Sequence, residues 1–472
     1  MNSKKYMLSA MVLLASLAAR AEVKLPRFFS DGMVLQQQSA CNLWGTARAE
    51  KHLKVKTSWD GKTYTTTVGQ DGKWQLQVNT PVAGGPYTIT FDDGDKTQLQ
   101  NILIGEVWIC SGQSNMEMPM KGFKGQPVAG AIEEIMTGAD ANLHFFTVKR
   151  NPQLSPIDSV SGKWEEASSA SIRQFSATAY FFGKALRKNL NVPVGLIVTA
   201  FGGSACEAWM AKDWLKKDFP TVTLPWSQED VDKKQQRCPT ALYNGMLRPL
   251  IGYTLKGAIW YQGEDNVNRA GNYADLFSTM IKGWRKDWNQ GDFPFYYCQI
   301  APYNYDLIQW DYNSAILREQ QAMVEKMVPN SRMAVLMDAG LEYGIHPRKK
   351  REAGERLAVL ALSNTYKVQG LPDFATYSHV EFNNDTAVVA FDRSKEWVYF
   401  QNGPSSDLFE VAGEDKVFYP AKTWTSRNRV YVKSDKVKKP VAVRYAFKNW
   451  VQGDLFHDGL PVSSFRTDTW EK

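Results

Sequence analysis

Ser114 lies near the end of the stretch from Gly105 to Met116, which contains Gly112-Gln113-Ser114-Asn115-Met116. Val107, Trp108 and Ile109 read as a short buried strand. Gly112 permits a sharp turn, and Ser114 falls where strand gives way to helix. The first amides of such a helix have no intrahelical acceptor and carry partial positive charge. They suit an oxyanion forming on a carbonyl that Ser114 attacks. A plain N-cap is the competing reading of the same serine.

A serine nucleophile needs a base, and histidine is the usual one. The chain has five: His52, His144, His346, His379 and His457. His52 lies in an N-terminal β region, and His379 and His457 in a C-terminal one. His144 sits inside an apolar strand, which suits a structural role. His346 follows Asp338, at the end of an apolar strand, and Pro347 restricts it to extended geometry. By elimination His346 is the base. Oxyanion donors are available as backbone amides at Ser114 and at Gly202 or Gly203, where glycine lets a substrate approach the chain closely. The Gln262 side-chain amide is a third candidate.

These residues need a frame. From Gly105 onward, apolar strands alternate with helical stretches. Strands are expected at 143–148, 194–199, 257–261, 295–300 and 333–337. Helices are expected at 172–190, 242–251, 273–288, 314–327 and 351–362. Such alternation means a parallel sheet with helices on both faces, and its site lies beyond the carboxyl ends of the strands. Ser114, Gly202-Gly203 and Gly263 all fall there.

Residues 22–103 read as a β-sandwich of about eight strands, with short alternating runs broken by Asp60-Gly61, Asp71-Gly72, Gly84-Gly85 and Asp93-Gly94. From 371 to 472 the alternation with helices stops and a second all-β domain follows. Residues 104–370 are the α/β domain between them. Residues 1–21 read as a signal peptide: Lys4 and Lys5, an apolar run from Met7 to Leu17, and Ala19-Arg20-Ala21 before the cut. A periplasmic or secreted protein is expected.

The 472-residue chain carries a formal charge of +7; the leader holds three of the basic residues and no acid, which leaves +4. That excess is too small for a dedicated nucleic-acid binder. No apolar stretch is long enough to insert in a membrane. The run Arg348-Lys349-Lys350-Arg351 reads as a solvated helix face. The five cysteines are scattered: at most Cys206 and Cys238 pair, and buried free thiols are the simpler expectation. No metal-ligand spacing is present.

The Gly112–Met116 block resembles the nucleophile block of the SGNH (GDSL-like) hydrolases, and within them that of the sialate O-acetylesterase family. The resemblance extends through Gly202-Gly203-Ser204, Glu207-Ala208-Trp209, Leu242 to Met246, and Trp260-Tyr261-Gln262-Gly263-Glu264 with Asn266. It continues through Leu317-Arg318-Glu319, Ile345-His346-Pro347, Gly459-Leu460-Pro461 and Phe465-Arg466-Thr467-Asp468. It implies an SGNH-like parallel sheet and hydrolysis of O-acetyl esters on sugars, notably 9-O-acetyl sialic acid, with no metal or cofactor. It puts the nucleophile at Ser114 and the base at His346, with donors at the Ser114 amide, the Gly202-Gly203 turn and Gln262. Gln113, Asn115, Glu264 and Asn266 are expected to line the substrate site. Arg318 and Arg348, in site-proximal segments, are the candidate forks for a sugar carboxylate.

The family usually carries an acid two residues before the histidine; here that position is Gly344. Either a backbone carbonyl near 342–344 orients the ring, or Glu342 or Asp338 substitutes. Two other functions fit less well: an acetylesterase acting on acetylated xylan or pectin, and a non-catalytic sugar-binding protein.

Overall fold

The structure, a computed structural model, describes residues 23–308, 314–394 and 396–470; the expected leader at 1–21 lies outside them. Its axis is β1 (Lys96–Gly112), a strand that belongs to two sheets. The first half pairs parallel with Val34–Gln36 and antiparallel with Gly84–Asp92 of the N-terminal β region. The second half, all buried, is a middle strand of the α/β sheet. The border placed at 103/104 therefore falls inside one continuous strand.

The remaining parallel strands are β2 (Asp140–Thr147), β3 (Val194–Ala200), β4 (Gly257–Tyr261), β5 (Phe295–Cys298) and β6 (Ser331–Ala334). Their order is β6-β5-β4-β1-β3-β2, with Trp164–Ala167 antiparallel at the β2 edge. Strands β3, β4 and β5 are buried along their whole length, as a sheet covered on both faces requires. The helices are α1 (Ala177–Leu190), α2 (Tyr273–Trp288), α3 (Ser314–Met327) and α4 (Lys350–Asn364). Trp108, Trp209, Trp260 and Trp284 are fully buried in this core.

The register sets the site. Ala200 of β3 and Tyr261 of β4 both pair with Gly112 of β1. Three neighbouring strands thus end level. The turns that follow, at Ser114, Gly202-Gly203 and Gln262-Gly263, are brought side by side.

Two helices differ from expectation. The stretch 172–190 is broken: Phe175 is extended (φ −80°, ψ 155°), and Ser176 starts α1 afresh, its Oγ accepting from the Ala179 amide at 3.1 Å. The stretch 242–251 is a π-helical turn, Tyr243–Leu247, followed by a 3-10 turn, Arg248–Leu250. Pro249 lacks the amide that a continuing helix needs.

Buried Glu106 locks the domain's base. It accepts from Gln37 Nε2 at 2.6 Å, Gln36 Nε2 at 3.2 Å and the Tyr366 hydroxyl at 2.7 Å. The C-terminal region folds as antiparallel sheets of four, three and four strands. All five cysteines are free and buried, so Cys206 and Cys238 do not pair.

Gly112 is a position at which this frame tolerates no side chain. Its φ is +136°, and a Cβ would lie 2.2 Å from the Tyr261 carbonyl oxygen. Gly112→Ala is expected to cost about 3 kcal/mol or more of stability, read as a lowered urea midpoint; an unchanged midpoint would refute the packing described.

Candidate active site

Beyond Gly112 the chain turns through Gln113, whose amide donates to the Tyr261 carbonyl at 2.9 Å. Ser114–Glu117 then forms a single helical turn. Gln113 Oε1 accepts from the Gly263 amide at 3.1 Å and the Asp265 amide at 3.4 Å. Its side chain stitches the ends of β1 and β4 together.

Asn115 ties down everything else. Its Nδ2 donates to Glu264 Oε1 at 2.5 Å and to the Ile345 carbonyl at 3.1 Å. Its Oδ1 accepts from Lys350 Nζ at 2.5 Å, and its carbonyl accepts from the Thr178 hydroxyl at 3.0 Å. One side chain so fixes the serine turn, the end of β4, the histidine loop and the start of α4. Lys350 is fully buried, not part of a solvated face; burial pushes its amine down to about 7 against the pull of Glu264. Burial pushes the Glu264 carboxyl up. Arg351, beside it, pairs with Glu134 at 2.8 Å.

His346 shares a cavity of about 390 Å³ with Ser114. Its ring is oriented by a residue the sequence did not single out. Nδ1 lies 2.6 Å from Gln126 Oε1, and the Phe123 ring meets the imidazole edge-on at 5.1 Å. Both come from the loop after the serine turn, where Phe123 and Gln126 exchange backbone hydrogen bonds at 3.1 and 3.0 Å. An amide oxygen only accepts, so Nδ1 carries the proton and Nε2 keeps its lone pair. Burial, then the nearby Lys350 charge, push the imidazole down to about 4. The ring is a neutral base across the physiological range.

The acids considered for that orienting role are elsewhere. Asp338 is gripped by Arg356 at 2.6 and 2.7 Å. Glu342 accepts from Asn304 at 3.4 Å. The amide of Gly344 donates to the Leu341 carbonyl at 3.2 Å.

Gly202 abuts the serine: a Cβ there would lie 3.3 Å from Ser114 Cβ. Its amide is occupied. It donates to Glu117 Oε2 at 2.8 Å, and Arg150 holds that carboxylate through two bonds of 2.7 Å. A carboxylate oxygen so sits on an amide that an oxyanion would use, and it must move for Gly202 to serve. Gly203 also lines the cavity.

Gln262 does not line the cavity. It is fully buried; Nε2 donates to the Ser204 carbonyl at 3.0 Å and to Asn266 Oδ1 at 2.7 Å, and Oε1 accepts from the Tyr273 hydroxyl at 2.7 Å. With both amide protons committed inward, it acts as a brace and not an oxyanion donor. Asn266 is likewise spent, donating to Glu207 Oε2 at 3.0 Å and accepting from the Cys206 amide at 3.0 Å. Arg318 is fully buried and donates to Ser464 Oγ, Ser314 Oγ and the Lys448 carbonyl. It joins α3 to the C-terminal region, and no sugar reaches it. Arg348 is exposed and lies outside the cavity wall. The cations that do line the cavity are Arg150 and Arg237, with Gln113, Glu264, Tyr303 and Tyr305. His144 is structural: its ring nitrogens face the Gly32 and Ala141 carbonyls at 2.6 and 3.1 Å.

Among the described residues no cluster of His, Cys, Asp or Glu could hold a metal. No described helix is long and apolar enough to cross a membrane.

The Gln126 contact predicts a pH profile. The base works only when neutral, so kcat/KM should hold as pH falls until it drops through about pH 4. In Gln126→Glu a carboxylate favours the protonated ring, and the acid limb should rise by about 1–3 units. Gln126→Ala should lower kcat/KM by about 10²-fold. A wild-type limb at the ordinary histidine value, unmoved by Gln126→Glu, would disprove this orientation.

The family model described as "carbohydrate esterase, sialic acid-specific acetylesterase" matches residues 104–362. A sialate O-acetylesterase of Rattus norvegicus is 27% identical over 426 residues, covering 77% of this chain and 78% of the rat protein. That of Homo sapiens is 27% identical over 398 residues, covering 76% and 74%. The crystal structure of a carbohydrate acetylesterase from Xanthomonas citri superposes with a TM-score of 0.86 at 33% identity, covering 95% of this chain and all of that one. With a family match over more than half its length and this likeness in fold, the chain belongs to the sialic acid-specific acetylesterase family of carbohydrate esterases.

Proposed function

We propose that the protein removes acetyl groups from sialic acid, most readily from the 9-O position, by a serine-hydrolase mechanism. The observation that carries this is an imidazole held at Nδ1 by Gln126, with Nε2 free, in the cavity that also holds Ser114. His346 Nε2 takes the Ser114 proton as Oγ attacks the acetyl carbonyl. The oxyanion rests on the Ser114 amide and on the Gly202-Gly203 turn once Glu117 has moved. The C–O bond to the sugar breaks, and His346 returns its proton to the departing alcohol. Water then repeats the sequence on the acyl-enzyme: His346 takes its proton, acetate leaves, and Ser114 is restored.

The amide orienter matters here. A carboxylate in its place would stabilise the imidazolium and help the proton transfer. Gln126 fixes the tautomer without that help. Acetyl esters are easier substrates than amides, so a Ser–His pair with a neutral third member suffices.

Arg150 and Arg237 in the cavity wall favour an acidic sugar over a neutral one. The second reading, an acetylesterase for xylan or pectin, is favoured by the fact that each arginine already has a carboxylate partner, Glu117 and Asp265 respectively. A sugar-binding protein without catalysis has no need of an oriented histidine in the same cavity as a serine. The leader at 1–21 fits a role in the periplasm or outside the cell.

The test is acetate release from 9-O-acetyl-N-acetylneuraminic acid and from acetylated xylan. Wild type should prefer the sialate, and Ser114→Ala should lose about 10³-fold or more on it. A preference for xylan would transfer the assignment to the second reading. Retained activity in Ser114→Ala would remove the mechanism.

A further inference from the structure

A second cleft, of about 610 Å³, lies between the end of α4 with the chain after it and the C-terminal β region. Its volume is in the range of ligand sites. One wall carries Trp397 and Tyr399, which are 60% and 40% exposed. They flank buried Val398 of the strand Val398–Phe400. Strand alternation therefore puts both rings on one face, about 6.6–6.8 Å apart along the chain. The platform is fixed from behind. Tyr399 stacks on Phe456, with centroids 6.2 Å apart and planes at 29°. The Trp397 carbonyl lies 2.9 Å from His457 Nδ1, which donates to it.

The facing wall is polar. Ser363, Asn364 and Gln369 line it. Of the charges in the lining, Arg393 is committed to Glu325 at 2.9 Å and Asp373 to Arg332, while the Glu396 and Asp458 carboxylates are exposed. Two exposed rings side by side make an apolar patch that can seat an occupant. Rings on one side and amides and carboxylates on the other suit a ligand with apolar C–H faces and many hydroxyls, whose O–H groups the carboxylates can accept from. A dry protein interface would not need the polar wall, and an anionic ligand would find the arginine taken and meet the Glu396 and Asp458 carboxylates.

We infer that this cleft is an accessory saccharide-binding site, in which Trp397 and Tyr399 stack on neutral sugar units of the glycan. The cleft shares no lining residue with the Ser114 cavity. Its role goes beyond the proposed deacetylation and does not depend on which acetylated sugar is cleaved.

The experiment titrates xylohexaose and lactose, as neutral glycan probes, into the full-length Ser114→Ala protein, followed by tryptophan fluorescence and calorimetry. Binding of at least one probe is expected, weakened about tenfold or more by adding Trp397→Ala and largely kept by Trp397→Tyr. In the otherwise wild-type chain, Trp397→Ala should leave kcat/KM for p-nitrophenyl acetate within about twofold, because Trp397 lies outside the serine cavity. No binding of either probe, or binding indifferent to Trp397→Ala with an unchanged melting temperature, would overturn the inference. Loss of esterase activity in the wild type would instead count against the proposed function and leave the binding result readable.

Discussion

The site depends on one amide. Asn115 reaches Glu264, the Ile345 carbonyl and Lys350 at once, and so joins residues more than two hundred positions apart in sequence. The nucleophile turn is rigid by itself, because Gly112 and Gln113 are pinned to β4. The histidine loop is not part of any strand or helix. It is located by the Asn115 bond at Ile345 and by the start of α4 at Lys350. A buried lysine and a buried glutamate on opposite ends of one asparagine side chain are an expensive arrangement. It is tolerable because each charge has a hydrogen-bonding partner and a counter-charge within reach.

The second feature is a base kept neutral by its surroundings. Among the described residues no carboxylate contacts His346; its orienting partner is the uncharged Gln126, and the charge that acts on the ring is the Lys350 cation. The usual acid raises the imidazole's affinity for a proton, whereas this environment lowers it. The gain is a base that remains free at acid pH. The cost is weaker stabilisation of the imidazolium in the transition state. Glu117 adds a second departure, since its carboxylate occupies the Gly202 amide next to the serine. The Gly202 amide is thus a filled donor, and Arg150 holds the carboxylate that fills it.

Much of the frame was legible in the sequence because it is written in local patterns. Apolar strands alternating with helices announced the parallel sheet, and glycine turns after three strands marked its functional edge. Ser114 and His346, chosen from position and elimination, line one cavity. What sequence could not supply were side-chain directions at long range. Gln126 lies in a glycine-rich loop with no periodicity, 220 positions from the ring it holds. Gln262 stands at the right edge but points into the core, where Ser204 and Asn266 take its protons. Arg318 sits in a motif near the site on the chain, yet its helix face turns to the C-terminal region. Lys350 belongs to a basic run, and only its place in the first turn of α4, against β4, sends it inward. The break at Phe175-Ser176 was signalled weakly, by a serine able to cap a helix within an otherwise helical stretch.

The most direct test of the account is the protonation state of one ring. Nitrogen-15 NMR of the histidine side chains, with His346 assigned by its loss in His346→Gln, reports which nitrogen carries the proton and where the ring titrates. The account predicts a neutral imidazole protonated at Nδ1 at pH 6, with titration centred near pH 4. A ring protonated at Nε2, or an imidazolium at pH 6, would contradict it.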